Sequence, residues 1–164
     1  MKSIFDVNAT EAPEYKRSSL RWVSWTLAFV LVGLIAAQLA SFESFMAALA
    51  NTTGMQGRAQ PAFLAIFLTG VEILSLTVLV RLQLSPLMRW IGAFSVLLAP
   101  VIWLSIQFAS FASDRIISDI GFVGGIIDFK LGATSLLLNL IWAVVAGLSV
   151  YNLGATTLFR AKNK

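Results

Sequence analysis

The sequence predicts an all-α fold: an integral membrane four-helix bundle with its N-terminus and C-terminus both cytoplasmic. Three observations carry this. Of the 164 residues 58% are hydrophobic and only 12% charged, against about 45–50% and about 25% in soluble domains. Four stretches, at about 22–42, 62–80, 90–111 and 131–158, are long and apolar enough to cross a hydrocarbon core of about 30 Å. Nine of the twelve Lys and Arg residues fall on one side of those four spans, and membrane proteins load their cytoplasmic side with basic residues. The net charge of +4 is thereby a matter of topology.

The chain has no Cys and no His. That excludes disulfide scaffolds, thiol redox chemistry, zinc sites of the Cys/His kind, histidine-ligated haem or chlorophyll, and Ser–His or Cys–His nucleophiles. With so thin a catalytic inventory, an enzyme is the less expected class.

Residues 1–21 read as a polar cytoplasmic tail, interrupted by Pro13 and lacking the apolar core of a secretory signal. The first span opens on Arg21, Trp22 and Trp25, an interfacial anchor. Its Gly33, Ala36, Ala37 and Ala40 are expected to face a neighbouring helix within the bundle. In the loop that follows, residues 44–50, with Phe45, Met46 and Leu49, are expected to form a short helix lying on the membrane surface.

Pro61 suits the first turn of the second span, where its missing N–H costs nothing. The link of residues 82–89, broken by Pro86, makes the second and third spans an antiparallel hairpin. Pro100 interrupts the third span as a helix kink and deprives the carbonyl of Val96 of its helical donor. Between the third and fourth spans, residues 112–130 alternate acid and apolar side chains. Asp114, Asp119, Phe122 and Asp128 make this a candidate partner-docking loop. The fourth span carries Asn139 and Trp142, and residues 160–164 form a basic cytoplasmic tail.

Glu72, in the second span, is the costly residue. A carboxylate at the bilayer centre costs roughly 2.5–3.5 kcal/mol on insertion scales, so it must face a partner, a cavity or a proton. At 1.5 Å per residue it lies about 15 Å below the outer surface and Asn139 about 12 Å, so the two share a layer. With Thr69 and Ser75 on the same helix face, they define an expected intramembrane polar cluster of Glu72, Thr69, Ser75 and Asn139; Gln38, counted nearer the surface, is the poorer partner for Glu72. The cluster reads either as a proton-carrying or ligand-binding group, or as a packing lock. Trp103 and Trp142, also inside the spans, would suit a quinone, carotenoid or structural lipid as cofactor, or simply fill the core.

The stretch Phe67-Leu68-Thr69-Gly70-Val71-Glu72-Ile73-Leu74, followed by Arg81 and a further apolar helix, resembles the Gly-x-x-Glu-type second helix of the DoxX-like and methylamine-utilisation MauE-like four-helix membrane proteins, with one residue between Gly70 and Glu72 instead of two. The resemblance implies a small membrane partner of a redox or thiol-handling system; the expected location is a bacterial inner (plasma) membrane. Without cysteine, that leaves a quinone-linked or assembly role. Three functions are therefore expected, in this order: a non-catalytic subunit of a larger membrane complex, whose partners are lipid and other membrane subunits and not nucleic acid; a component binding a quinone or other lipophilic ligand near Glu72; and a small proton-coupled transporter or channel subunit.

Overall fold

The computed structural model describes residues 15–112, 122–123 and 132–153. Asp114, Asp119 and Asp128, together with both ends of the chain, lie outside the described residues. Among those described the protein is all-helical: α1 (Arg21–Ala40), α2 (Phe42–Thr53), α3 (Ala59–Leu79), α4 (Pro86–Ala112) and α5 (Ala133–Asn152), with one 3-10 turn, Ser18–Leu20, ahead of α1. Four helices are long and apolar enough to cross a membrane: α1 with the preceding turn, α3, α4 and α5.

Their order around the bundle follows from which helices touch. α3 packs along α4 and α1, and α5 packs along α4 and α1, so α3 and α5 stand on one diagonal and α1 and α4 on the other. The core is built on Leu27, Leu31, Phe45, Leu68, Val96 and Trp103. Phe29, at 82% exposure, and Phe63, at 73%, face outward while Glu72 and Asn139 are buried. An apolar exterior, with the polar groups turned inward among the core side chains, suits hydrocarbon surroundings, where outward side chains need no water and inward polar groups must find protein partners.

The α3–α4 hairpin is closed by local hydrogen bonds. The N–H of Leu82 donates to Thr77 O at 3.0 Å and that of Arg81 to Val78 O at 3.0 Å, the paired bonds of a Schellman cap. Arg81 takes the left-handed conformation there, φ 63°, a place where glycine is usual. Its guanidinium lies over the Tyr15 ring, 4.9 Å from the centroid. Within the hairpin Gly92 lets the helices approach closely: a Cβ there would stand 3.1 Å from the Leu74 carbonyl oxygen and collide with Val78.

The start of α1 is fastened to the end of α5. The N–H of Lys16 donates to the Asn152 carbonyl at 2.8 Å, and that of Arg17 to Asn152 Oδ1 at 2.9 Å. The Lys16 ammonium lies 4.3 Å from the Tyr151 ring centroid. Lys16, Arg17, Arg21, Arg81 and Arg89 thus gather at one end of the bundle. At the other, Arg58 pairs with Glu43 on the surface.

Two expectations need correction. The segment after α1 is not a surface helix: α2 packs against α3 and α4, and Phe45 and Leu49 are at 0% exposure. The chain turns at Ser41, whose hydroxyl donates to the Ala37 carbonyl at 2.7 Å beside its own backbone N–H at 3.1 Å. Such side-chain competition for backbone groups disfavours a straight continuation. The apolar stripe of α2 was legible; that it closes over the bundle was not. The small-residue face of α1 also points elsewhere than expected. Gly33, Ala36 and Ala40 are exposed, because Leu27, Leu31, Leu34 and Gln38 hold the inward stripe.

Candidate functional site: the buried carboxyl and its neighbours

Helical periodicity brings the site together. Residues three or four apart share a helix face, and the inward stripes are Ser24, Leu27, Leu31, Leu34 and Gln38 on α1; Ala65, Leu68, Thr69, Glu72 and Ser75 on α3; Val96, Ala99, Trp103 and Gln107 on α4; and Ser135, Asn139, Trp142, Ala146 and Ser149 on α5. Each contains at least one polar member.

Glu72 is at 0% exposure. Its Oε1 accepts two hydrogen bonds, from Gln38 Nε2 at 3.3 Å and from the Trp103 indole N–H at 3.2 Å. The Thr69 hydroxyl stands 3.2 Å from Gln38 Oε1 and 2.9 Å from the Ala65 carbonyl, so its one hydrogen serves both acceptors. Three helices are thereby tied through one carboxyl oxygen. Helical side chains lean toward the N-terminus of their own helix. α3 runs opposite to α1 and α4, so Glu72 leans one way while Gln38 and Trp103 lean the other, and their polar tips meet although their backbones are at different depths.

That lean is why depth counting ranked the partners in the wrong order. Gln38 is Glu72's partner. Asn139 is fully buried, and among the described residues neither its Oδ1 nor its Nδ2 has a hydrogen-bond partner. It stands on α5, diagonal to α3. Ser75 donates to the Val71 carbonyl at 2.8 Å and closes on its own helix. Of the four expected cluster residues, the hydrogen bonds join Glu72 with Thr69 through Gln38, and leave Ser75 and Asn139 apart. Trp103 was legible as an interior aromatic, but its role as donor to Glu72 was not. Gln38 does carry a sequence signal, since it sits seven residues beyond Leu31 and fourteen beyond Ser24 on one stripe.

The second carboxyl oxygen, Glu72 Oε2, is buried without a hydrogen-bond partner among the described residues, as is Gln107 Oε1. Leaving such a group unmatched costs about 1–3 kcal/mol, and more if it is charged. Beside Glu72 runs a row of aromatic rings. The Trp103 indole lies 6.3 Å from the Phe45 centroid and 5.2 Å from Phe122, which stands edge-on to it at 71°. Phe122 meets Trp142 at 5.4 Å and 74°. Phe122, expected on a docking loop, is thus turned inward between two tryptophans. Pro100 sits inside the continuous α4, one helical turn before Trp103. Among the described residues no three His, Cys, Asp or Glu side chains come together.

No protein-family model, no curated protein and no solved structure matches the chain. The resemblance of residues 67–74 to the DoxX-like and MauE-like helix therefore rests on those residues alone.

Proposed function

We propose that the chain is a multi-pass integral membrane protein, both termini cytoplasmic, that binds a small lipophilic ligand inside its helix bundle against Glu72. The observation that carries this reading is the half-used carboxyl. Oε1 takes two donors while Oε2, equally buried, takes none. A side chain serving only as a packing lock gains by satisfying both oxygens, since an unmatched buried acceptor is costly. A ligand-binding group gains by keeping one free, held in place by the other. The aromatic row supplies an apolar wall for the rest of such a ligand.

This reading stands ahead of the complex-subunit reading for a specific reason. Of the four candidate docking residues the one that is described, Phe122, contacts Trp103 and Trp142, and its neighbour Val123 likewise packs against the core. The test is purification in mild detergent followed by native mass spectrometry. We expect a bound small molecule on the wild type that is lost from Glu72→Gln, whose remaining oxygen still accepts from Gln38 and Trp103. Stoichiometric comigration with other chains and no small molecule would reverse the order of the two readings.

A further inference from the structure

We infer that Glu72 and the aromatic rings beside it form a site for a lipophilic organic monocation, which enters in exchange for a proton on Glu72. The inference rests on the ligand-binding reading above and names the chemical class of the ligand.

Charge balance leads to it. Among the described residues the charged side chains other than Glu72 all stand at the ends of the bundle: Lys16, Arg17, Arg21, Arg81 and Arg89 at one, Glu43 and Arg58 at the other. The side chains that meet Glu72 or its partners are uncharged on every element around it: Gln38 from α1, Phe45 from α2, Thr69 from α3 and Trp103 from α4. The described residues therefore place no countercharge in the bundle interior, and an isolated buried charge is prohibitively costly. Two arrangements keep the interior neutral. In one, Glu72 carries a proton. In the other, the carboxylate is paired with one cation, and each cation that binds sends one proton out.

The donor set decides what kind of cation. Glu72 Oε1 is occupied by two N–H donors, and Gln38 Oε1 by the Thr69 hydroxyl. One carboxyl oxygen is left, Oε2. Calcium and magnesium take about six oxygen ligands or more, which the described side chains at the carboxyl do not offer. An organic cation needs only one charge-paired contact, its remaining surface being satisfied by aromatic faces within about 6 Å. Trp103 is the side chain placed to do both: its N–H orients the carboxyl, and its ring belongs to the row with Phe45 and Phe122.

The experiment is isothermal titration of the full-length protein in mild detergent with tetraphenylphosphonium, in two buffers of different ionisation enthalpy. We expect saturable one-to-one binding with close to one proton released per cation, and affinity falling toward tenfold per unit as pH is lowered. Glu72→Gln should weaken binding at least tenfold while keeping wild-type helicity and elution volume. Trp103→Phe, which keeps a ring but loses the N–H, should weaken it less. Cation binding with no proton release overturns the inference from the wild type alone, whether or not the Gln variant folds. So does equal binding by a folded Gln variant. If a short-chain benzoquinol binds and tetraphenylphosphonium does not, the cation assignment fails and the ligand reading stands; if neither binds, both fail.

Discussion

Glu72 and Asn139 are both fully buried, both polar, and both set on inward helix stripes, yet one is held by two donors and the other by none. The difference lies in where their helices stand. α3 touches α1, α2 and α4, so a side chain on its inner face meets polar tips from several directions. α5 meets α4 and α1, and its Asn139 finds no matching group on either. Burial alone therefore says little about a polar residue's energetic weight. What counts is whether a complementary atom arrives at the same point, since a matched buried hydrogen bond stabilises by about 1 kcal/mol and an unmatched group costs about 1–3 kcal/mol.

That contrast can be broken experimentally, beginning with its strongest member. Trp103→Ala removes the indole donor together with the largest fully buried side chain among the described residues. It should destabilise the bundle by about 3–5 kcal/mol, read as a lower midpoint in denaturant-induced unfolding followed by circular dichroism. Next comes Gln38→Leu, which keeps the volume roughly but takes one donor from Glu72 and one acceptor from Thr69. The expected loss is about 1–3 kcal/mol. In a double-mutant cycle Gln38 and Glu72 should couple, whereas Asn139 and Glu72 should show coupling indistinguishable from zero.

Asn139→Leu probes the other side of the comparison. Because both ends of that amide are unmatched, replacing it with an apolar side chain should be neutral or stabilise by up to about 1 kcal/mol. A clear loss of stability would show that Asn139 has a partner after all. Smallest of all is Ser75→Ala. Its hydroxyl bonds only to the Val71 carbonyl, and removing such back-bonding should shift stability by less than about 0.5 kcal/mol.

The Ser75 case generalises. Thr52, Thr53, Ser105 and Ser110 likewise donate to the carbonyl four residues earlier, at 2.6–2.8 Å. Hydroxyl side chains can satisfy themselves within their own helix and so enter an apolar setting cheaply. Side chains with amide or carboxyl groups, such as Gln38, Glu72, Gln107 and Asn139, have atoms left over and depend on other helices. The sequence shows which residues belong to the second group. Pairing them requires knowing how the helices are rotated and staggered, which is why Gln38 was undervalued and Asn139 overvalued.

The amino-acid order by itself determined four long apolar helices, the hairpin of α3 with α4, and Glu72 as the residue that needs an explanation. These follow from local properties: the transfer cost of each side chain, the periodicity of a helix, and the backbone limits of Pro86. Tertiary structure alone decided that α2 closes onto the core, that α3 and α5 stand diagonally, and that Gln38 and Trp103 are the donors to Glu72. Those outcomes depend on contacts between segments far apart in the chain, on the direction in which opposed side chains lean, and on which faces happen to meet, and none of these leaves a mark in any short stretch of residues.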